Sequence, residues 1–163
     1  MRTPASIGSH PIHPMLIPFP FALWFFSLVA DVIYFASGAP VWETVAFYTL
    51  AGGIVGAVMA AVPGIIDYFS IKDEKVSKIA GWHARLNVLA LLVFGASFYL
   101  RTRDGMQMVD GSMTVPVLLS AFGVILISIS GWLGGEMVYK HRVAVEEPRN
   151  EPRAEDKAPR RVA

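Results

Sequence analysis

The sequence predicts an all-α fold: a four-helix transmembrane bundle with both termini on one side of the membrane. Three observations carry that reading. The chain has 163 residues, of which 54% are hydrophobic and 17% charged, with a mean hydropathy of +0.49, whereas a soluble domain carries about 25% charge. Its apolar residues fall into four runs, each long enough for the roughly 20 helical residues that a hydrocarbon core requires. Polar loops and helix breakers separate the runs, so most of the charge lies between them or at the chain ends.

A His/Pro-rich interfacial lead covers residues 1–17, the four-span domain 18–143 and a charged tail 144–163. The first span is expected from Pro18 to Ala36, with Pro18 and Pro20 suited to a first helical turn, where the missing N–H costs no ladder bond. Ser37-Gly38-Ala39-Pro40 ends it. Ala36-Ser37-Gly38 weakly resembles a signal-peptide cleavage site, but the long lead and long apolar run favour a retained span. The second span runs from Thr44 to Phe69, and the polar loop Lys72 to Lys78 follows. The third runs from Gly81 to Leu100, then a loop from Arg101 to Gly111, and the fourth from Pro116 to Tyr139. Trp24, Trp42, Trp82, Trp132 and Tyr139 lie at or within a few turns of the helix ends, and some suit an interfacial aromatic belt. From Val145 onward five acids, five bases and three prolines leave too little apolar surface to repay ordering, so the tail is expected to be disordered. From the sequence, no attached soluble domain and no convincing internal repeat are expected.

Lys and Arg set the orientation. The side holding both termini, the near side, carries Arg2, Lys72, Lys75, Lys78, Arg85, Lys140 and Arg142; the far side carries Arg101 and Arg103. The near side is therefore expected to be cytoplasmic. Gly52, Gly56, Ala60 and Gly64 recur every four residues, as do Gly131 and Gly135, with Gly123 two turns earlier. Such seams let helix backbones approach closely, within one chain or between copies in a homo-oligomer. Asp31, inside the first span, is costly in lipid unless paired. Arg101 ends the third span on the same side, so an Asp31–Arg101 structural ion pair is expected in preference to a proton or ion pathway.

The remaining chemistry gathers at the near side. His10 and His13 precede the first span, His83 begins the third and His141 follows the fourth. Asp67 and Glu136 end the second and fourth, and Asn87 lies one turn from His83 on the same helix face. The plain alternatives are interfacial anchoring for the histidines, capping or a salt bridge to Lys72 or Arg85 for Asp67, and a Lys140 pair for Glu136. Taken together, imidazoles and carboxylates suit a transition metal, two axial ligands to haem b, or a proton relay to a quinone. The chain has no cysteine, which excludes thiolate metal sites, iron–sulfur clusters and covalent c-type haem. Phosphate loops, nucleophile turns and nucleic-acid motifs are absent.

Four strings together resemble a known family: His10-Pro-Ile-His-Pro-Met-Leu-Ile-Pro-Phe-Pro20, Pro63-Gly-Ile-Ile-Asp67, His83-Ala-Arg-Leu-Asn87 and Gly131-Trp-Leu-Gly-Gly-Glu-Met-Val-Tyr-Lys-His141. They are similar to the bacterial membrane family called domain of unknown function 2231, over about Ser9 to Val145. The resemblance implies a four-span protein of the bacterial inner membrane. Some relatives are joined to Rieske-type or cytochrome-type modules, which implies electron transfer with a redox partner. Some members carry His where this chain has Pro18, so a ligand role there would pass to His13. The functional expectation is a haem b or transition-metal module with His13, His83 and His141 as ligands. Asp67 and Glu136 would complete or tune it, and Asn87 and His10 would support it. The alternatives are a non-catalytic anchor or assembly subunit of a larger complex, and a proton or ion transporter.

Overall fold

Each of the four apolar runs forms a long helix, and each helix starts earlier than its most apolar stretch. The computed structural model describes residues 3–8, 10–103 and 113–145; the tail and most of the far-side loop after the third span lie outside them. A two-residue hairpin comes first, β1 (Ser6–Ile7) paired antiparallel with β2 (His10–Pro11). The short helix α1 (Ile12–Leu16) follows, then α2 (Pro18–Ser37), α3 (Pro40–Tyr68), α4 (Glu74–Arg103) and α5 (Thr114–Tyr139). The first candidate span therefore begins at Ile12, ahead of the Pro18 start expected from the sequence, because Ile17 keeps helical dihedrals between α1 and α2. Local chemistry sets the other ends. Gly38 caps α2 at φ 66° and gives its N–H to the Tyr34 carbonyl at 2.8 Å, a left-handed cap that glycine adopts without strain. Asp73 caps α4 by accepting the Val76 N–H at 2.9 Å, so the charged turn Glu74–Lys78 is helical although lipid would not hold it.

Packing follows the logic of a lipid solvent. Large apolar side chains point outward, among them Phe19, Phe35, Val55, Val62, Leu92 and Leu118. The interior holds small and polar residues, including Ala30, Ser27, Ser97, Ser120 and Ser130, around Trp24, Leu50 and Phe94. Lipid tails are as apolar as leucine, so helices associate through close backbone approach and interhelical hydrogen bonds. The α3 seam is used within the chain: Gly52 faces Leu23, Gly56 faces Pro20 and Gly64 faces His13. On α5 the close approaches fall at Gly123 and Gly134, while Gly135 meets only Tyr139 of its own helix.

The two halves of the chain repeat one another, which corrects the expectation of no convincing repeat. His13 Nδ1 bonds the carbonyl of Ala60, 47 residues on, and His83 Nδ1 bonds that of Ser130, also 47 on. Ser27 Oγ donates to the carbonyl of Ala46, 19 residues on, and Ser97 Oγ to that of Pro116, also 19 on. Gly53 lies against the Trp24 ring as Gly123 lies against Phe94, and Gly64 cradles His13 as Gly134 cradles His83. One step of 70 residues, the separation of Asp31 from Arg101, maps each of these positions onto its counterpart. Equivalent residues also meet. Asp31 binds Arg101, Trp24 stacks on Phe94 with ring centres 4.1 Å apart, and His13 lies 6.3 Å from His83. These self-contacts, together with the packing of α3 on α4 and of α2 on α5, fit a local two-fold axis that runs between α2 and α4 along the bundle. The fold is a pair of helical hairpins, α1–α3 and α4–α5, in a parallel repeat about the membrane normal.

Candidate histidine pair and buried ion pair

The local axis carries a polar site at each end of the bundle. At the far end the Arg101 guanidinium donates through Nη1 to Asp31 Oδ1 at 2.8 Å and through Nη2 to Oδ2 at 2.7 Å. Asp31 is fully buried and Arg101 is 3% exposed. The fork geometry gives two parallel charge-assisted bonds, and hydroxyls accept from two more of the guanidinium N–H groups. Ser97 Oγ accepts from Nε at 3.4 Å and Ser120 Oγ accepts from Nη2 at 3.5 Å. Ser97 Oγ in turn donates to the Pro116 carbonyl at 2.8 Å and lies 3.0 Å from Ser120 Oγ. Both ions are thus neutralised and hydrogen-bonded, the condition on which charge is tolerated at such depth.

At the near end α1 folds inward so that His13 reaches α3 two turns inside its end. Pro63 contributes no N–H to the α3 ladder, and Gly64 beside it has no side chain. His13 fills that notch, with Nδ1 2.7 Å from the Ala60 carbonyl oxygen. A Cβ on Gly64 would come within 2.7 Å of the imidazole. A carbonyl only accepts, so Nδ1 carries the proton and the Nε2 lone pair of neutral His13 is left available.

His83 is held in the same way but more completely. Its Nδ1 lies 2.9 Å from the Ser130 carbonyl and 3.0 Å from Ser130 Oγ. Asn87 Nδ2 lies 2.9 Å from His83 Nε2 and donates to the His83 carbonyl at 3.0 Å. The second bond fixes the amide orientation, because only the NH₂ end donates to a carbonyl. Asn87 therefore donates to Nε2, and His83 is the neutral Nδ1–H tautomer. The two rings meet edge to face, with an interplanar angle of 89°.

The other residues of the expected cluster are engaged elsewhere. Asp67 Oδ1 accepts the Ala5 N–H at 2.9 Å, pinning the lead to the end of α3. Glu136 lies 3.2 Å from Lys140 one turn on, the plain alternative weighed for it. His10 is exposed, with Nδ1 2.9 Å from the Gly8 carbonyl of its own hairpin. His141 follows α5, and among the described residues no hydrogen bond or ring contact joins it to His13 or His83. Among the described residues no group of three or more His, Asp or Glu is gathered that could hold a metal ion. The near side thus brings together His13, His83 and Asn87, not the wider set read from the sequence. That reading missed Ala60, Ser97, Ser120 and Ser130, whose one signal was hydroxyls and small residues recurring within otherwise apolar spans.

A family model described as a predicted membrane protein, DUF2231, matches residues 9–147. No curated protein and no solved structure matches the chain.

Proposed function

This chain belongs to the DUF2231 family of predicted membrane proteins, and we propose that it serves membrane electron transfer by holding a haem b iron, or another transition-metal ion, between His13 and His83. The observation that carries this reading is the imidazole pair itself. The rings stand 6.3 Å apart, each with Nδ1–H committed to a backbone carbonyl of a neighbouring helix. Ligating histidines are commonly held through their other nitrogen in this way. The spacing is within reach of one ion whose metal–nitrogen bonds are about 2.0–2.1 Å. Two imidazoles without a third protein donor would suit haem iron better than a structural zinc with four protein ligands. When bound, the iron would supply one-electron redox chemistry. Ala60 and Ser130 would orient the rings, Gly64 and Gly134 would let them approach, and Asn87 would have to release His83 Nε2.

A second reading draws on that last contact. Both nitrogens of His83 are already satisfied inside the chain, as suits a clasp between α4 and α5 in a non-catalytic anchor or assembly subunit. One experiment separates the two. An absorption spectrum and elemental analysis of the purified full chain should show a Soret band, or about one metal per chain if two imidazoles share one ion. Either signal should be lost in His13→Ala and His83→Ala. The absence of both after reconstitution sinks the redox reading. Co-purification of a fixed partner, unchanged by His83→Ala or His141→Ala, supports the anchor.

A further inference from the structure

A cationic cleft of about 450 Å³ opens where α3 ends and α4 begins, at the near-side membrane boundary. Lys72, Lys78 and Arg85 line it with Tyr68 and Trp82, and Glu74 is the one acid on its wall. Glu74 is paired with Lys78 at 2.7 Å, so three cations face one carboxylate. Lys72 and Arg85 make no ion pair among the described residues. The Arg85 guanidinium carbon stands 5.3 Å from the centre of the Trp82 ring, which holds the charge over an aromatic face that is itself 59% exposed.

We propose that this cleft binds the phosphate of an anionic phospholipid headgroup, one per chain. Phosphate needs several donors converging at the depth where headgroups lie, and basic pockets beside membrane helices recognise lipids in this way. Exposed Ile65, Ile66 and Phe69 at the same end of α3 offer the acyl chains an apolar surface below it. The stoichiometry follows from the repeat. The positions equivalent to Trp82 and Arg85 in the first half are Ile12 and Met15, so the second hairpin alone carries the site. The inference is independent of what His13 and His83 hold.

The test is native mass spectrometry of the full chain in neutral detergent, titrated separately with phosphatidylglycerol, phosphatidylcholine and inorganic phosphate. One phosphatidylglycerol should be retained in preference to phosphatidylcholine. Each of Lys72→Ala and Arg85→Ala should weaken it about fivefold, the factor corresponding to about 1 kcal/mol per cation near a headgroup. Lys75→Ala, outside the cleft, should leave the preference unchanged. Retention of inorganic phosphate that displaces the lipid, in a chain with no preference between the two lipids, would make the ligand free phosphate and overturn the headgroup assignment. Equal retention of both lipids, or a preference that survives the double variant Lys72→Ala/Arg85→Ala, would overturn the site.

Discussion

The two hairpins share one plan, yet they differ wherever polar groups meet the local axis. Asp31 in the first half faces Arg101 in the second, a pairing that an exactly symmetric dimer of hairpins would replace with like against like. Ser120 stands beside that guanidinium, whereas its equivalent, Leu50, is a fully buried apolar residue. His83 has both nitrogens bonded, with Asn87 supplying the second bond; at the position equivalent to Asn87 the first half has Ile17. With two like halves in one chain, one half supplies the donor and the other the acceptor. The backbone contacts stay common while the charges diverge.

The largest effects should come from breaking the ion pair. Asp31→Ala and Arg101→Ala should each cost about 3–5 kcal/mol in detergent unfolding, because each strands a buried charge. Asp31→Ala should be the worse, since a stranded carboxyl can take up a proton and a guanidinium cannot lose one. The exchange Asp31→Arg/Arg101→Asp should recover most of the loss, falling short by about 1–3 kcal/mol because Leu50 offers the relocated guanidinium no oxygen. A swap no more stable than the single variants would refute the equivalence of the two positions.

A smaller effect tests the shared backbone plan. Gly53→Ala and Gly123→Ala should each cost about 1–3 kcal/mol through overpacking against Trp24 and Phe94. Gly95→Ala, with open space around it, should cost nothing measurable in the same unfolding assay. Sharply different losses at Gly53 and Gly123 would break the comparison. The smallest effect concerns the serines. Ser27→Ala removes one interhelical bond and should cost about 0.6 kcal/mol, the average for such bonds within a membrane. Ser97→Ala also removes contacts to Ser120 and Arg101, so its loss should be nearer about 1.7 kcal/mol. Equal losses would show that the Ser97 network adds nothing to the common bond.

The spans were legible because crossing lipid demands long apolar runs, and the Asp31–Arg101 pair because two charges at one depth have few other solutions. Their early starts were not, since Asp73 capping and the α1 turn extend helices into polar sequence. The repeat escaped notice for a physical reason. Identity persists at His13 and His83, Ser27 and Ser97, Gly53 and Gly123, and Gly64 and Gly134, where side chains meet a neighbouring helix. Lipid-facing positions accept any apolar residue, so there the two halves differ freely. Topology also placed His13, Asp67, His83, Glu136 and His141 at one end without saying which would touch. Sharing a bundle end constrains depth but leaves the direction around the bundle free. For Asp67 the sequence offers a place in the metal or haem site, or a cap or salt bridge; its partner in the fold, the Ala5 N–H, belongs to backbone with no residue-type signature.

The ion pair also has a consequence in time. Arg101 follows Asp31 by 70 residues, and chains are synthesised at about 5–20 residues per second. For roughly 4–14 s, by the same synthesis rates, Asp31 exists while its counter-ion is still being made. During that interval Asp31 lacks the partner that makes its burial in lipid tolerable. The buried pair is therefore complete only once the second hairpin is made, and Asp31 ties the finished fold of the first half to the second.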